Sequence, residues 1–176
     1  MATTVKGTTP ATRKRKWIKT ILVILFLIFI LIQFFQPSKN NNDVSNVNDI
    51  SSLVRVPDTV QQILKVSCYD CHSNNTVYPW YTNIQPVGWW LNHHVEEGKE
   101  HLNFNEFTNI PPTEKRTTRE RQLKKLEEIK ETVEEGEMPL SSYTLIHTNA
   151  KLTKEQRQLL INWADSARQV LGVGGK

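Results

Sequence analysis

The sequence predicts an all-α domain behind a single N-terminal transmembrane helix, and three observations carry that prediction. Apolar residues in several separate stretches recur at spacings of three and four, the period of an amphipathic helix. No stretch alternates convincingly at period two, so strands are not expected. Near the N-terminus, residues 17–35 read WIKTILVILFLIFILIQFF. That run is apolar on every face, which suits lipid better than a protein core.

The charge distribution fits the same reading. The chain has 176 residues, enough for one domain plus an appendage, and a formal net charge of +4. Lys6, Arg13, Lys14, Arg15, Lys16 and Lys19 lie in the first 20 residues, with no acidic residue among them. Removing these six from the 22 basic side chains leaves 16 against 18 acidic ones, a net of −2 for the rest. A nucleic-acid binder carries its basic excess on the folded domain, so no nucleic-acid partner is expected. Residues 1–16 read as a cytoplasmic basic tail by the positive-inside rule. Residues 17–35 read as the anchor, with Lys19 snorkelling to the interface. A cleaved signal peptide is the rival, but Gln36-Pro37-Ser38-Lys39-Asn40 offers no obvious small-x-small cleavage site. No cysteine follows the run for a lipoprotein anchor, and an uncleaved signal-anchor is favoured.

Residues 36–53 are rich in Asn, Ser and Asp and read as a flexible tether. A globular domain is then expected over 54–176. Pro57-Asp58 opens a short helix carrying Val60, Ile63 and Leu64. Asn74 to Pro86 is a loop with the cluster Tyr78-Pro79-Trp80-Tyr81. Val87 to about His101 is helical, with Trp90, His94 and Val95 near one stripe. After the break at Pro111-Pro112, residues 113–135 place Leu123, Leu126, Ile129 and Val133 on one face, and Gly136 stops that helix. Thr153 and Gln156 make a capping box for a last helix, whose stripe of Leu159, Trp163, Ala167 and Val170 ends at Gly172.

The first helix runs into Cys68-Tyr69-Asp70-Cys71-His72, the Cys-x-x-Cys-His pattern for covalent attachment of a c-type haem. The two thiols add across the porphyrin vinyl groups, and the adjacent histidine offers its imidazole to the iron. These are the only two cysteines, and there is one such motif, so one covalent haem c is expected. Other meanings of the pair fit less well. A zinc site would need His93, His94, His101 or His147 to complete it. A thioredoxin-like pair would need a βαβ context, and a disulfide here would close a very small loop.

A wider set of residues accompanies the motif: Ser73, Tyr78-Pro79-Trp80-Tyr81, His94-Val95 with Gly98, Leu102-Asn103-Phe104, Gly136 with Met138-Pro139, then Tyr143, His147 and Trp163. With Cys68 to His72, this set resembles the small bacterial haem-binding domain proteins, over about residues 55–171. More broadly it resembles class I c-type cytochromes. That resemblance implies a cytochrome c-like helical domain: a helix runs into the haem motif, a loop delivers a methionine to the iron, and a C-terminal helix packs on the first. The positive-inside orientation of the anchor leads to the expectation of a haem domain in the periplasm, on the bacterial cytoplasmic membrane.

Met138 is the candidate sixth ligand. The other methionine is Met1, which precedes the apolar run, and a thioether suits iron in an apolar pocket. Gly136 frees the loop to turn and Pro139 stiffens it. Met138 as a core gap-filler and iron ligation by His147 or His94 remain alternatives. Tyr78, Trp80, Tyr81, Trp89 and Trp90 are expected to wall a haem pocket or fill a core. Tyr143 or Trp80 is a candidate partner for a haem propionate, and Pro79 or Pro86 could direct a carbonyl to His72 Nδ1. Two functions follow. One is a membrane-anchored monohaem cytochrome carrying single electrons to a redox partner the sequence does not name. The other is a peroxidase-like or gas-binding haem protein with an open or labile sixth site.

Overall fold

The structure is a computed structural model that describes residues 10–42 and 47–173, with side chains from residue 14 onward. Residues 1–9 of the expected tail, 43–46 of the expected tether and 174–176 lie outside the described residues. Every regular element among those described is helical. Asn41 with Asn75 and Thr113 with Arg116 make only isolated bridges. The α-helices are α1 (Pro10–Ile32), α2 (Asp58–Ser67), α3 (Tyr69–His72), α4 (Val87–His101), α5 (Thr118–Glu135), α6 (Ser141–Ile146) and α7 (Lys154–Val173), with short 3-10 turns between some of them.

Two compact units are present. The first comprises residues 1–38 and 79–91, the second residues 39–78 and 92–176. In the second unit, α5 and α7 pack along one another. Leu126, Ile129 and Val133 of α5 meet Leu160, Trp163, Ala164 and Ala167 of α7 in a core that also takes Val60, Ile63 and Leu64 of α2. Pairs at the edge of that packing join Lys130 to Asp165 at 3.0 Å and Arg168 to Glu127 at 2.7 Å.

The helix ends show which local signals act. Thr117 and Glu120 form a reciprocal capping box, so α5 starts at Thr118 and not at Thr113. The preceding residues are held instead in a tight turn, with the Thr113 amide donating to the Arg116 carbonyl at 2.8 Å. Gly136 ends α5 in the left-handed region, at φ 78°. Gly172 does not end α7, which continues to Val173 without a positive φ at that glycine. Thr153 and Gln156 cap α7 as expected, each amide bound to the other's side chain at 2.9 and 3.2 Å. The short helix α6 was not legible in the sequence.

Two further segments differ from expectation. The residues expected as a tether include side chains buried in the second unit. Asn40 donates to the Ser73 carbonyl and to Thr76 Oγ1, both at 2.9 Å, and accepts from Lys99 at 2.6 Å. Asp49 accepts from Asn105 at 2.9 Å, and Ile50 is fully buried. Over the expected anchor at 17–35, the helix begins at Pro10 and stops at Ile32. Among the described residues, no helix is long and apolar enough to cross a membrane. Arg15, Lys16 and Lys19 lie inside α1, so its uncharged part runs only from Thr20 to Ile32. At 1.5 Å per residue that is about 20 Å, against roughly 30 Å of hydrocarbon.

Candidate cofactor site

The second unit encloses a cavity of about 440 Å³, within the range of cofactor sites. Its apolar lining comes from Leu64 of α2, Phe104, Ile129 and Val133 of α5, and Leu160 of α7. Cys68, Cys71, His72 and Met138 all line this same space. The chain's own local geometry brings them there. The Cys68 amide closes the last turn of α2 on the Leu64 carbonyl at 2.9 Å, and the Cys68 carbonyl accepts from the His72 amide at 2.9 Å. At the other end of the sequence span, the Glu137 and Met138 amides both return to the Thr132 carbonyl, at 2.9 and 3.1 Å. The left-handed Gly136 makes that return possible, and it pins half-buried Met138 to the end of α5.

His72 Nδ1 lies 2.9 Å from the Gly98 carbonyl and 3.0 Å from the Leu102 carbonyl. Both partners accept, so Nδ1 carries the proton and the Nε2 lone pair is left for a ligand. The expected partner was a carbonyl turned by Pro79 or Pro86. The acceptors instead come from the last turn of α4 and the residue after it, and the Gly98 carbonyl also accepts from the Leu102 amide at 2.9 Å. Burial lowers the His72 pKa and outweighs the hydrogen bonds to the Leu102 and Gly98 carbonyls, which raise it, so the balance favours the neutral imidazole that a metal requires. The Phe104 ring meets His72 edge-on at a centroid distance of 6.5 Å. Gly98 is needed for this approach, because a Cβ there would sit 2.6 Å from the Cys71 carbonyl oxygen.

Burial pushes the Cys68 thiol up to about 12 and the Cys71 thiol up to about 11. A thiol redox centre needs the opposite, a depressed pKa that supplies thiolate. No group of three or more His, Cys, Asp or Glu that could hold a metal ion occurs among the described residues. The zinc reading of the motif therefore has no ligand set.

Of the alternative ligands, His94 lines the cavity and places Nδ1 3.7 Å from Glu97. His147 is not among the lining residues. It stacks on Tyr143 at 4.3 Å. Tyr143 does line the cavity, and its hydroxyl donates to Asp70 Oδ2 at 2.6 Å. Burial and that bond raise its pKa. Lys125 and Glu128 of α5, paired at 2.7 Å, also line the space. Sequence reasoning missed them because it followed the core stripe of α5 and not the neighbouring one. The aromatics expected to wall the pocket do not line it. Tyr78 accepts from the Asn40 amide at 2.8 Å, and Trp80, Trp89 and Trp90 are exposed side chains of the first unit.

The residues fit a haem. An apolar cavity holds two thiols, a neutral imidazole with its second nitrogen fixed, and a thioether. Comparison with known proteins agrees at the level of the cofactor. The model of the haem-binding domain family matches residues 27–166, so the chain belongs to that family and is a haem-binding protein. No curated protein and no solved structure matches it.

Proposed function

We propose that this haem-binding protein is a membrane-attached monohaem c-type cytochrome that passes single electrons to and from partner proteins. The observation that carries the reading is that Cys68, Cys71, His72 and Met138 share one largely apolar cavity. When bound, the haem would supply a one-electron iron couple whose potential follows its axial ligands and surroundings. In this reading Cys68 and Cys71 hold the ring covalently. His72 gives its Nε2, with Nδ1 anchored by the Gly98 and Leu102 carbonyls. Met138 would offer its thioether to the same iron. With His72 and Met138 both serving as ligands, the iron would have no place left for a substrate, which suits a carrier better than a catalyst.

Membrane attachment belongs to the same proposal. Side chains along Ile21–Leu31 are apolar and at least two-fifths exposed throughout, and such a surface is unusual in contact with water. The basic residues before it favour a cytoplasmic N-terminus and a periplasmic haem domain. A second reading, a sensor or peroxidase-like enzyme with a labile sixth site, draws on one observation. His94 lines the cavity and could act there as an acid–base group or a switch ligand.

Attachment is the step to test first. Full-length protein matured with a c-haem assembly system should stay red after acid–acetone extraction, with a mass greater than the polypeptide by one haem. Cys68→Ser combined with Cys71→Ser should release all haem on denaturation. Unchanged retention in that double variant would refute covalent attachment.

A further inference from the structure

We infer that residues 79–91 form an interfacial foot that lies in the lipid headgroup region beside the end of α1. Membrane attachment is then a two-part surface and not a single helix. The inference rests on the membrane reading proposed above and adds a second contact to it.

The first observation is where the tryptophans lie. Four of the five are in the unit made of residues 1–38 and 79–91. All four are exposed: Trp17 by 67%, Trp80 by 75%, Trp89 by 39% and Trp90 by 47%. The fifth, Trp163, belongs to the other unit and is only 6% exposed. Tryptophan concentrates at both ends of a membrane-embedded run because its ring is apolar and its N–H is polar. Trp17 stands at one end of the apolar run of α1. Phe34 and Phe35 follow the other end, with Trp89 bound directly to it through its indole N–H, which donates to the Phe35 carbonyl at 2.7 Å.

The second observation is that residues 79–91 bury polar groups and expose apolar ones. Gln85 is wholly buried and Thr82 nearly so, whereas Trp80, Ile84, Val87, Trp89 and Trp90 are exposed. In water the preference runs the other way. From residue 73 to residue 92 there is no Asp, Glu, Lys, Arg or His. A charged partner protein would have nothing to pair with here, and a lipid interface asks for no pairing.

The third observation is that glutamine side chains take up backbone groups where this segment meets the end of α1, as an apolar medium demands. Gln33 and Gln85 exchange bonds: Gln33 Oε1 accepts from the Gln85 amide at 2.9 Å, and Gln33 Nε2 donates to the Gln85 carbonyl at 3.1 Å. The same Nε2 donates to the Phe29 carbonyl at 2.8 Å, closing the end of α1. Gln36 accepts from Gln85 Nε2 at 2.9 Å and donates to the Asn83 carbonyl at 3.1 Å. Gln85 Oε1 then accepts from the Trp89 amide at 2.9 Å, in the first turn of α4. Gly88 permits this fold-back, since a Cβ there would lie 2.3 Å from the Thr82 carbonyl oxygen. The glutamine clamp fastens the aromatic segment to the helix end, and so extends the apolar surface beyond the roughly 20 Å that α1 supplies alone.

The test uses full-length, haem-loaded protein in nanodiscs of phosphatidylethanolamine and phosphatidylglycerol. Benzoylphenylalanine is placed, in separate samples, at Phe26, Trp80, Trp90 and Leu145. The last is a site 79% exposed in the other unit. Retention of the haem spectrum checks that each sample is folded. After irradiation, mass spectrometry should find lipid adducts at positions 26, 80 and 90, and none at 145. Adducts at 26 without adducts at 80 and 90 would overturn the foot and leave the anchor standing. Loss of the adduct at 26 would overturn the membrane reading, and the foot with it. Cross-links from 80 and 90 to a protein in place of lipid would make this face a protein-docking surface and also overturn the inference.

Discussion

Trp163 and Trp80 show two different uses of one residue type. Trp163 sits in the core between α5 and α7 and donates its indole N–H to the Arg55 carbonyl at 3.2 Å. Charged pairs such as Lys130–Asp165 occupy the surface of that unit. Around Trp80 the arrangement is reversed, with Gln85 inside and aromatic rings outside. Glutamine makes the same point. Buried Gln122 donates to the Phe107 carbonyl at 3.0 Å within an apolar core, whereas Gln85 is itself the centre of its packing. The first region has the burial pattern expected in water, and the second has the inverse, as the proposed lipid contact would require.

That contrast can be broken by a pair of substitutions. Trp163→Ala should cost about 3–5 kcal/mol, since it removes a large buried ring and leaves a cavity. Trp80→Ala should change stability by less than about 0.5 kcal/mol, as exposed positions usually do. Denaturant unfolding of the detergent-solubilised protein measures both. Equal costs would mean that residues 79–91 are an ordinary core and would remove the distinction.

A smaller effect sharpens the description of the unit that holds the cavity. Gly98→Ala forces a Cβ toward the Cys71 carbonyl and so pushes α4 away from α3. The expected loss is about 1–3 kcal/mol. His72 should also lose its carbonyl partners, become a weaker donor to iron, and raise the reduction potential. A stability loss with an unchanged potential would reduce Gly98 to a packing role.

Smaller still is Tyr143→Phe, which removes the bond to Asp70 and should cost about 1 kcal/mol near neutral pH. The sign of its pH dependence is set by the raised phenol pKa. The unfolded chain ionises first, near pH 10, so the contribution is full below that pH and is lost as pH rises above it. The variant should therefore lose less stability than the parent above about pH 10. Parallel alkaline limbs in the two proteins would show that the Tyr143–Asp70 bond does not matter.

The features legible in the sequence share one property: the residues responsible are close together along the chain. Cys68, Cys71 and His72 are contiguous, Thr153 reaches Gln156 within one turn, and Gly136 acts on its own helix. The start of α5 was as local, in Thr117 and Glu120, but the break at Pro111-Pro112 drew the boundary back to Thr113. What was not legible depends on distant backbone. The partners of His72 are the Gly98 and Leu102 carbonyls, and a carbonyl has no letter in the sequence. Asn40 reads as linker composition until Ser73, Thr76 and Lys99 surround it. The aromatic cluster was legible as a cluster, but its outward orientation follows from glutamines about fifty residues away.

The most direct test of the central claim is Met138→Ala in the haem-loaded protein. The account predicts that the oxidised parent shows the weak red charge-transfer band of a methionine–iron bond and that the reduced parent resists carbon monoxide. In the variant the band should vanish and carbon monoxide should bind. A variant that keeps a low-spin, six-coordinate spectrum, lost instead in His94→Ala or His147→Ala, would contradict the account and move the ligand to histidine.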